Sequence, residues 1–219
     1  MGYIFDFNDA VNYDQWYDQP RNSFAADLES RLMLDMLKPM DGNSLLEIGC
    51  GTGASLLPFL NKGLRITGID PSQYMLDIAF KKVGHRVDLH RGFAEDLPFD
   101  DNSFNYACFI TTLEFVDDPR RAIEEACRVA KDRIFIGVLN RYALKGIQLR
   151  LKGIFTKSIY NRAQFFSIWE LKKIIRAVLG DVPISWRTVC HFLSAVPRYM
   201  TRPLSITCQA KPTTNALTG

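Results

Sequence analysis

Apolar residues along this chain fall into two alternating patterns. Short apolar runs bounded by turn residues read as buried strands at 44–48, 64–69, 86–90, 104–110 and 133–139. Stretches with helical spacing lie between them. Ser23 caps a predicted helix to about Lys38, with Phe24, Leu28, Leu32 and Met36 recurring near that spacing, and Pro39 and Asp41-Gly42 close it. Further helices are predicted at 54–61, from a Ser72 cap to Val83, and from Pro119 to about Ala130. After Leu139 the rhythm breaks. A basic stretch at 141–163 carries a helical pattern interrupted by Gly146 and Gly153. A helix at 166–179 and strands at 183–190 and 204–210 follow. Residues 1–22 are acidic and aromatic without a clean period, and a partly ordered cover is expected there. The residues from Lys211 are expected to fray.

Strands alternating with helices at this spacing indicate βαβ units. The expected fold is α/β, a Rossmann-like three-layer sandwich around a mostly parallel sheet. Ligands of such sheets bind at the carboxyl ends of the strands, near the point where strand order reverses. The whole chain, 1–219, is read as a single domain: an N-terminal arm and helix (1–43), a ligand-binding core (44–139), a basic cap insertion (140–165) and a C-terminal helix with strands (166–219).

Composition supports a packed core and narrows the class. The chain is 47% hydrophobic and 12% aromatic, which excludes disordered and low-complexity classes. No apolar run approaches the ~20 residues of a membrane span, and the first residues lack the pattern of a signal peptide. Cys50, Cys108, Cys127, Cys190 and Cys208 are odd in number and form no C-x-x-C pair. A reducing, cytoplasmic setting is therefore expected, and no metal site. The net charge of +3 hides a division: residues 1–43 carry −5, 44–138 carry −3, 139–180 carry +8 and 181–219 carry +3.

The chemistry concentrates at Leu45-Leu46-Glu47-Ile48-Gly49-Cys50-Gly51-Thr52-Gly53. Glycines there permit a tight strand-to-helix turn and a close ligand approach to the backbone. The segment also fits the loose dinucleotide pattern G-x-G-x-x-G/A, so a nicotinamide-dependent oxidoreductase is one alternative. Glu47 argues against it, because a carboxylate at the sheet's carboxyl edge suits a positively charged ligand rather than a pyrophosphate. Asp70, ending the second strand, can accept hydrogen bonds from a ribose diol. The structural alternative for it is an Asx turn ahead of Pro71-Ser72.

Four blocks in order, LLEIGCGTG (45–53), GIDPSQYML (68–76), GFAEDLPFDDNSF (92–104) and TLEFVDDPRRAIEEACRV (112–129), resemble the class I S-adenosylmethionine-dependent methyltransferases. The subgroup is similar to small-molecule enzymes of quinone biosynthesis. The resemblance implies a seven-stranded sheet with an antiparallel last strand, and S-adenosylmethionine as cofactor with S-adenosylhomocysteine as product. It implies that Glu47, Gly49, Cys50, Gly51 and Gly53 wrap the methionine part, that Asp70 holds the ribose, and that Met75 or Pro71 packs on the adenine. The adenine edge falls to Glu95 or Asp96, or to backbone near Ala94, since Phe93 stands where the family has Asp. Ile110 and Thr111 sit at the methionine end. Phe115 replaces the usual His of L-E-H-V-x-D-P, so the catalytic base is unassigned. Glu114 is a weak candidate, and a solvated helix-start carboxylate is the preferred expectation for it.

The resemblance also places covers over the site. Tyr13, Trp16, Tyr17 and Arg21 are candidates for a lid or substrate contact. Leu144, Ile147, Leu151 and Phe155 form one stripe beside Arg141, Lys145 and Lys152, a basic amphipathic pattern at 141–155. It suits an anionic or lipid-like acceptor or a peripheral membrane contact. Nucleic acid is not an expected partner. The expected activity is methyl transfer to a small-molecule acceptor by proximity and orientation. A non-catalytic, cofactor-binding or membrane-associated module is the remaining alternative.

Overall fold

The computed structural model describes residues 2–141, 162–188 and 204–209, with the side chains of Arg21, Ala25, Leu204, Ser205 and Gln209 excepted. Seven strands form one sheet: β1 (Ser44–Ile48), β2 (Arg65–Asp70), β3 (Val87–Arg91), β4 (Phe104–Ile110), β5 (Ala130–Val138), β6 (Ile184–Thr188) and β7 (Leu204–Gln209). Their order is β3-β2-β1-β4-β5-β7-β6. The first five strands pair in parallel, and β7 runs antiparallel to both β5 and β6. Strand order reverses between β1 and β4, which puts the ends of β1, β2 and β4 at the switch point.

The helices are α1 (Phe7–Asp18), α2 (Pro20–Leu37), α3 (Leu57–Leu60), α4 (Gln73–Val83), α5 (Pro119–Val129) and α6 (Ile168–Leu179). They cover both faces. Successive β1 side chains point to opposite faces, and the core divides accordingly. Leu46 and Ile48 pack with Ile123 of α5 and Leu171 and Ile175 of α6. Leu45 packs with Met33 and Leu37 of α2, Phe59 of α3 and Leu76 of α4.

Sequence and structure diverge mainly before the sheet. The aromatic arm contains a full helix, α1, started by a capping box in which Asp6 and Asp9 each accept a backbone N–H. Helix α2 begins at Pro20 rather than after Ser23, because the fixed φ of proline suits the first helical turn. The predicted helix at 54–61 splits into a 3₁₀ turn, Ala54–Leu56, and the short α3, since Pro58 has no N–H for an interior bond. Most of the basic stretch (142–161) and the chain end from Ala210 lie outside the described residues.

Candidate active site

The switch point is built by three chain reversals. The β1 turn ends the first strand with three glycines at positive φ: Gly49 (+73°), Gly51 (+51°) and Gly53 (+77°). They do different work. A Cβ on Gly49 would lie 2.2 Å from Thr112 Cγ2, and one on Gly53 would lie 3.1 Å from Ala79 Cβ. Both glycines therefore permit internal packing. A Cβ on Gly51 would meet only the Tyr13 ring, at 3.7 Å, so this glycine borders the open space beneath the arm.

Asp70 closes β2 and stitches the first turn to the second. Its two oxygens accept the N–H groups of Gly51 and Ser72, each at 2.9 Å. The Ser72 contact is the Asx arrangement expected ahead of Pro71-Ser72, and Asp70 also lines the cavity beneath the arm. Burial lifts its carboxyl to a pKa of about 6. Glu47 is fully buried on the α3 side of the sheet. Ser55 Oγ donates to its Oε1 at 2.5 Å, while Oε2 has no partner among the described residues. Burial, with the Asp70 charge adding to it, lifts the Glu47 carboxyl to about 8.

The third reversal follows β4. Thr111 has φ +53°, an outlier for a β-branched residue and a mark of local strain. Thr112 Oγ1 donates to Ile48 O at 3.0 Å, tying this loop to β1. Glu114 corrects an expectation. It is buried rather than solvated, with Oε1 accepting the Leu139 N–H at 2.5 Å and Oε2 unpartnered among the described residues. Its main chain explains why: Phe115 N–H bonds to Thr112 O, turning the segment inward before the helix starts at Pro119.

The arm lies across these ends. Tyr3 N–H bonds to Phe115 O, and Ser72 Oγ donates to Phe5 O. The Phe5 ring meets Phe115 at 5.1 Å and Tyr13 at 6.1 Å. Lys82 of α4 pairs with Asp14 of α1.

Beneath the arm is a cavity of about 80 Å³. Among the expected residues, Gly49, Gly51, Asp70, Pro71, Met75, Ala94, Glu95, Ile110, Thr111 and Tyr13 line it. Cys50 does not; it is buried toward Gly68, and burial raises its thiol pKa. Gly53 and Glu47 stand behind the wall. Between the two acids weighed for the adenine edge, Glu95 is in the wall and the exposed Asp96 is not. Glu95 Oε1 is engaged with the Asp117 N–H at 3.0 Å. Tyr17 lines a second cavity, Trp16 packs against Tyr17 at 5.0 Å, and the Arg21 side chain lies outside the described residues. Sequence reasoning missed Tyr3, Phe5, Thr112 and Val116 as wall residues and Ser55 as the partner of Glu47. The aromatic arm and the T-T pair after β4 were their only signals.

Two larger cavities flank the first. One, about 540 Å³, lies beside α2 and shares Ile110 and Thr111 with it. The other, about 520 Å³, shares Tyr3, Ile4, Phe115 and Val116 and has Glu114, Arg162 and Gln164 in its wall.

Comparison with known proteins agrees with this architecture. The family described as "Methyltransferase domain" matches residues 46–135. An uncharacterised protein of Methanocaldococcus jannaschii is 34% identical over 169 residues, 76% of each chain. A solved structure from Thermotoga maritima, described as an S-adenosylmethionine-dependent methyltransferase and possible histamine N-methyltransferase, superposes with a TM-score of 0.72. It is 27% identical, and the match covers 94% of this chain and 97% of that one. The chain belongs to the S-adenosylmethionine-dependent methyltransferases. A demethylmenaquinone methyltransferase of Renibacterium salmoninarum is 36% identical over 105 residues, covering 46% of this methyltransferase and 42% of that protein. The quinone-enzyme similarity covers under half of either chain and leaves the acceptor open. These comparisons lend no support to the nicotinamide alternative. No helix among the described residues is long and apolar enough to cross a membrane.

Proposed function

We propose that this methyltransferase acts on a small molecule held in a chamber closed by the N-terminal arm. The observation that carries the reading is the arm itself. Residues 2–5 and Tyr13 roof the cavity bounded by Gly51 and Asp70 and leave only about 80 Å³. Small-molecule sites occupy roughly 300–1,000 Å³, so the methyl donor takes this cavity together with the adjoining one of about 540 Å³ beside α2, with the arm as its roof. A lid of this kind suits a small acceptor enclosed with the donor better than an extended macromolecule.

The residues fit S-adenosylmethionine. Glu47 offers a buried, unpaired carboxyl oxygen suited to an ammonium group, and Gly51 presents bare backbone. The oxygens of Asp70 retain free lone pairs after taking two N–H groups, enough for a ribose diol. Pro71, Met75 and Phe93 supply apolar walls for a base, and Ile110 and Thr111 lead toward the α2 cavity for the methionine end. The bound donor supplies a sulfonium-activated methyl group. The chain's own task is to hold an acceptor in line with it and to exclude water. Tyr13 and Tyr17, with rings 5.6 Å apart, serve as lid residues between the two cavities.

The sequence of 141–155 keeps an anionic or lipid-like acceptor, met at a membrane surface, as the finer form of this reading. The test is S-adenosylhomocysteine release across small-molecule panels that include demethylated quinols, with protein and RNA acceptors in parallel. Turnover of small molecules is expected. Turnover of macromolecules only, or donor binding with silence on every panel, would overturn the proposal. Neutralising Lys145 and Lys152 should abolish binding to anionic liposomes without changing donor affinity; a wild type that never binds them removes the membrane element.

A further inference from the structure

The cavity over Glu114 is distinct from the space assigned to the methyl donor. It is about 520 Å³, and it meets the donor cavity along Tyr3, Ile4, Phe115 and Val116. Glu114 belongs to its wall, is 1% exposed, and has one carboxyl oxygen bonded to Leu139 N–H and the other unpartnered among the described residues. A buried polar atom without a partner is costly, on the order of 1–3 kcal/mol, and is uncommon in native folds. Glu47 has the other orphaned carboxyl oxygen among the described residues, and the donor's ammonium accounts for it.

The position of Glu114 is rigidly specified. Its backbone carbonyl takes Gln164 N–H at 2.8 Å, and its Oε1 holds the first residue after β5. It therefore joins three segments that border the reaction chamber: the loop after β4, the end of β5 and the return at 162–166. Arg162 and Asp117 share the cavity wall, and the Arg162 guanidinium rests 4.6 Å over the Tyr3 ring. The charge of Glu29, on α2, acts on Glu114 and favours its protonated form. Arg162 packs on Tyr3 rather than pairing with this carboxyl.

We infer that this cavity is the acceptor subsite and that Glu114 Oε2 receives the acceptor's O–H or N–H group, selecting protic nucleophiles over their alkylated counterparts. The inference rests on the methyl-transfer reading above and names the part of the site that chooses the substrate. Burial, opposed by the Leu139 N–H and reinforced by Glu29, puts the carboxyl's own pKa at about 8. The receiving form therefore predominates just above that pH.

The test uses the full chain saturated with S-adenosylhomocysteine and buffered just above the carboxyl's pKa of about 8. Matched probes, phenol with anisole and imidazole with N-methylimidazole, are titrated by calorimetry or ligand-observed NMR. The wild type should prefer the protic member of at least one pair by about tenfold, the size of one hydrogen bond to a charged group. Which pair responds separates hydroxyl from amine acceptors. Glu114→Gln should lose the preference while keeping its S-adenosylhomocysteine affinity. Glu114→Asp, which withdraws the oxygen by one methylene and keeps its charge, should weaken the preference and guards against a misfolded amide variant. Equal binding of both members by the wild type, no binding of any probe, or an undiminished preference in Glu114→Gln would each overturn the inference. Failure of S-adenosylhomocysteine itself to bind would instead overturn the methyl-transfer reading.

Discussion

Glu47→Gln separates the cost of a buried carboxyl from its use. In the free protein, burial lifts Glu47 from 4.5 to about 8, with the Ser55 hydroxyl only partly opposing. A shift of that size corresponds to on the order of 5 kcal/mol favouring the protonated form. The sign follows from linkage. The folded state holds this proton more tightly than the unfolded chain, so the contribution is fully present below about pH 4.5 and is lost as pH rises through about 8. Glutamine keeps the shape and the acceptor for Ser55 but does not titrate. Urea unfolding should therefore give similar stabilities for wild type and Glu47→Gln in acid. Above pH 8 the variant should be the more stable by several kcal/mol. Glu114 and Asp70 titrate in both proteins, so the difference isolates Glu47. The same variant should bind S-adenosylmethionine more weakly by about 1.5–3 kcal/mol, the worth of a hydrogen bond to a charged group. Wild-type binding should release up to one proton near neutral pH, measurable by calorimetry in buffers of different ionisation enthalpy. A stability difference independent of pH, together with unchanged donor affinity, would refute the reasoning.

Other substitutions test other parts of the site. Gly51→Ala should cost only about 1 kcal/mol of stability, for a left-handed backbone without a clash, yet lower donor affinity at least about tenfold; Gly49→Ala should lose about 2–4 kcal/mol of stability because its Cβ collides with Thr112. Equal effects of the two on folding, measured by chemical denaturation, would remove the distinction between ligand-facing and packing glycines. Asp70→Ala should weaken donor binding by about 1.5–3 kcal/mol and also destabilise the fold, since Gly51 and Ser72 lose their N–H acceptor. Thr111→Gly should raise stability by about 1 kcal/mol through relief of its φ of +53°; slower turnover despite that gain would show the strain to be functional. Lys82→Met should free α1 from α4 and speed donor dissociation in stopped-flow measurements while leaving the cavity wall beneath the arm unchanged.

Much of this architecture was written locally. The β1 boundaries at Ser44 and Ile48, the Ser72 cap and the Pro119 helix start follow from residues adjacent in the chain, and local patterning is what periodicity and capping report. Glu47 and Asp70 were conspicuous because a carboxylate inside or ending an apolar run is out of place. Helix α1 was obscured because its aromatic residues pack on one another and on Phe5 and Tyr74 rather than along one core stripe. Asp6 and Asp9 still held its capping box in the sequence.

The sheet, its glycine turn and the two acids at the switch point are legible in the chain, because strand period, turn chemistry and capping act over a few residues. Which glycine lines the cavity and which packs on Thr112 or Ala79 depends on segments dozens of residues away, and so on the tertiary structure. The tertiary structure also decided that Glu114 is a buried, half-paired carboxyl rather than a solvated helix-start acid. Burial and orphaned oxygens come from the convergence of the β4 loop, the end of β5 and the 162–166 return, and no window of sequence contains all three.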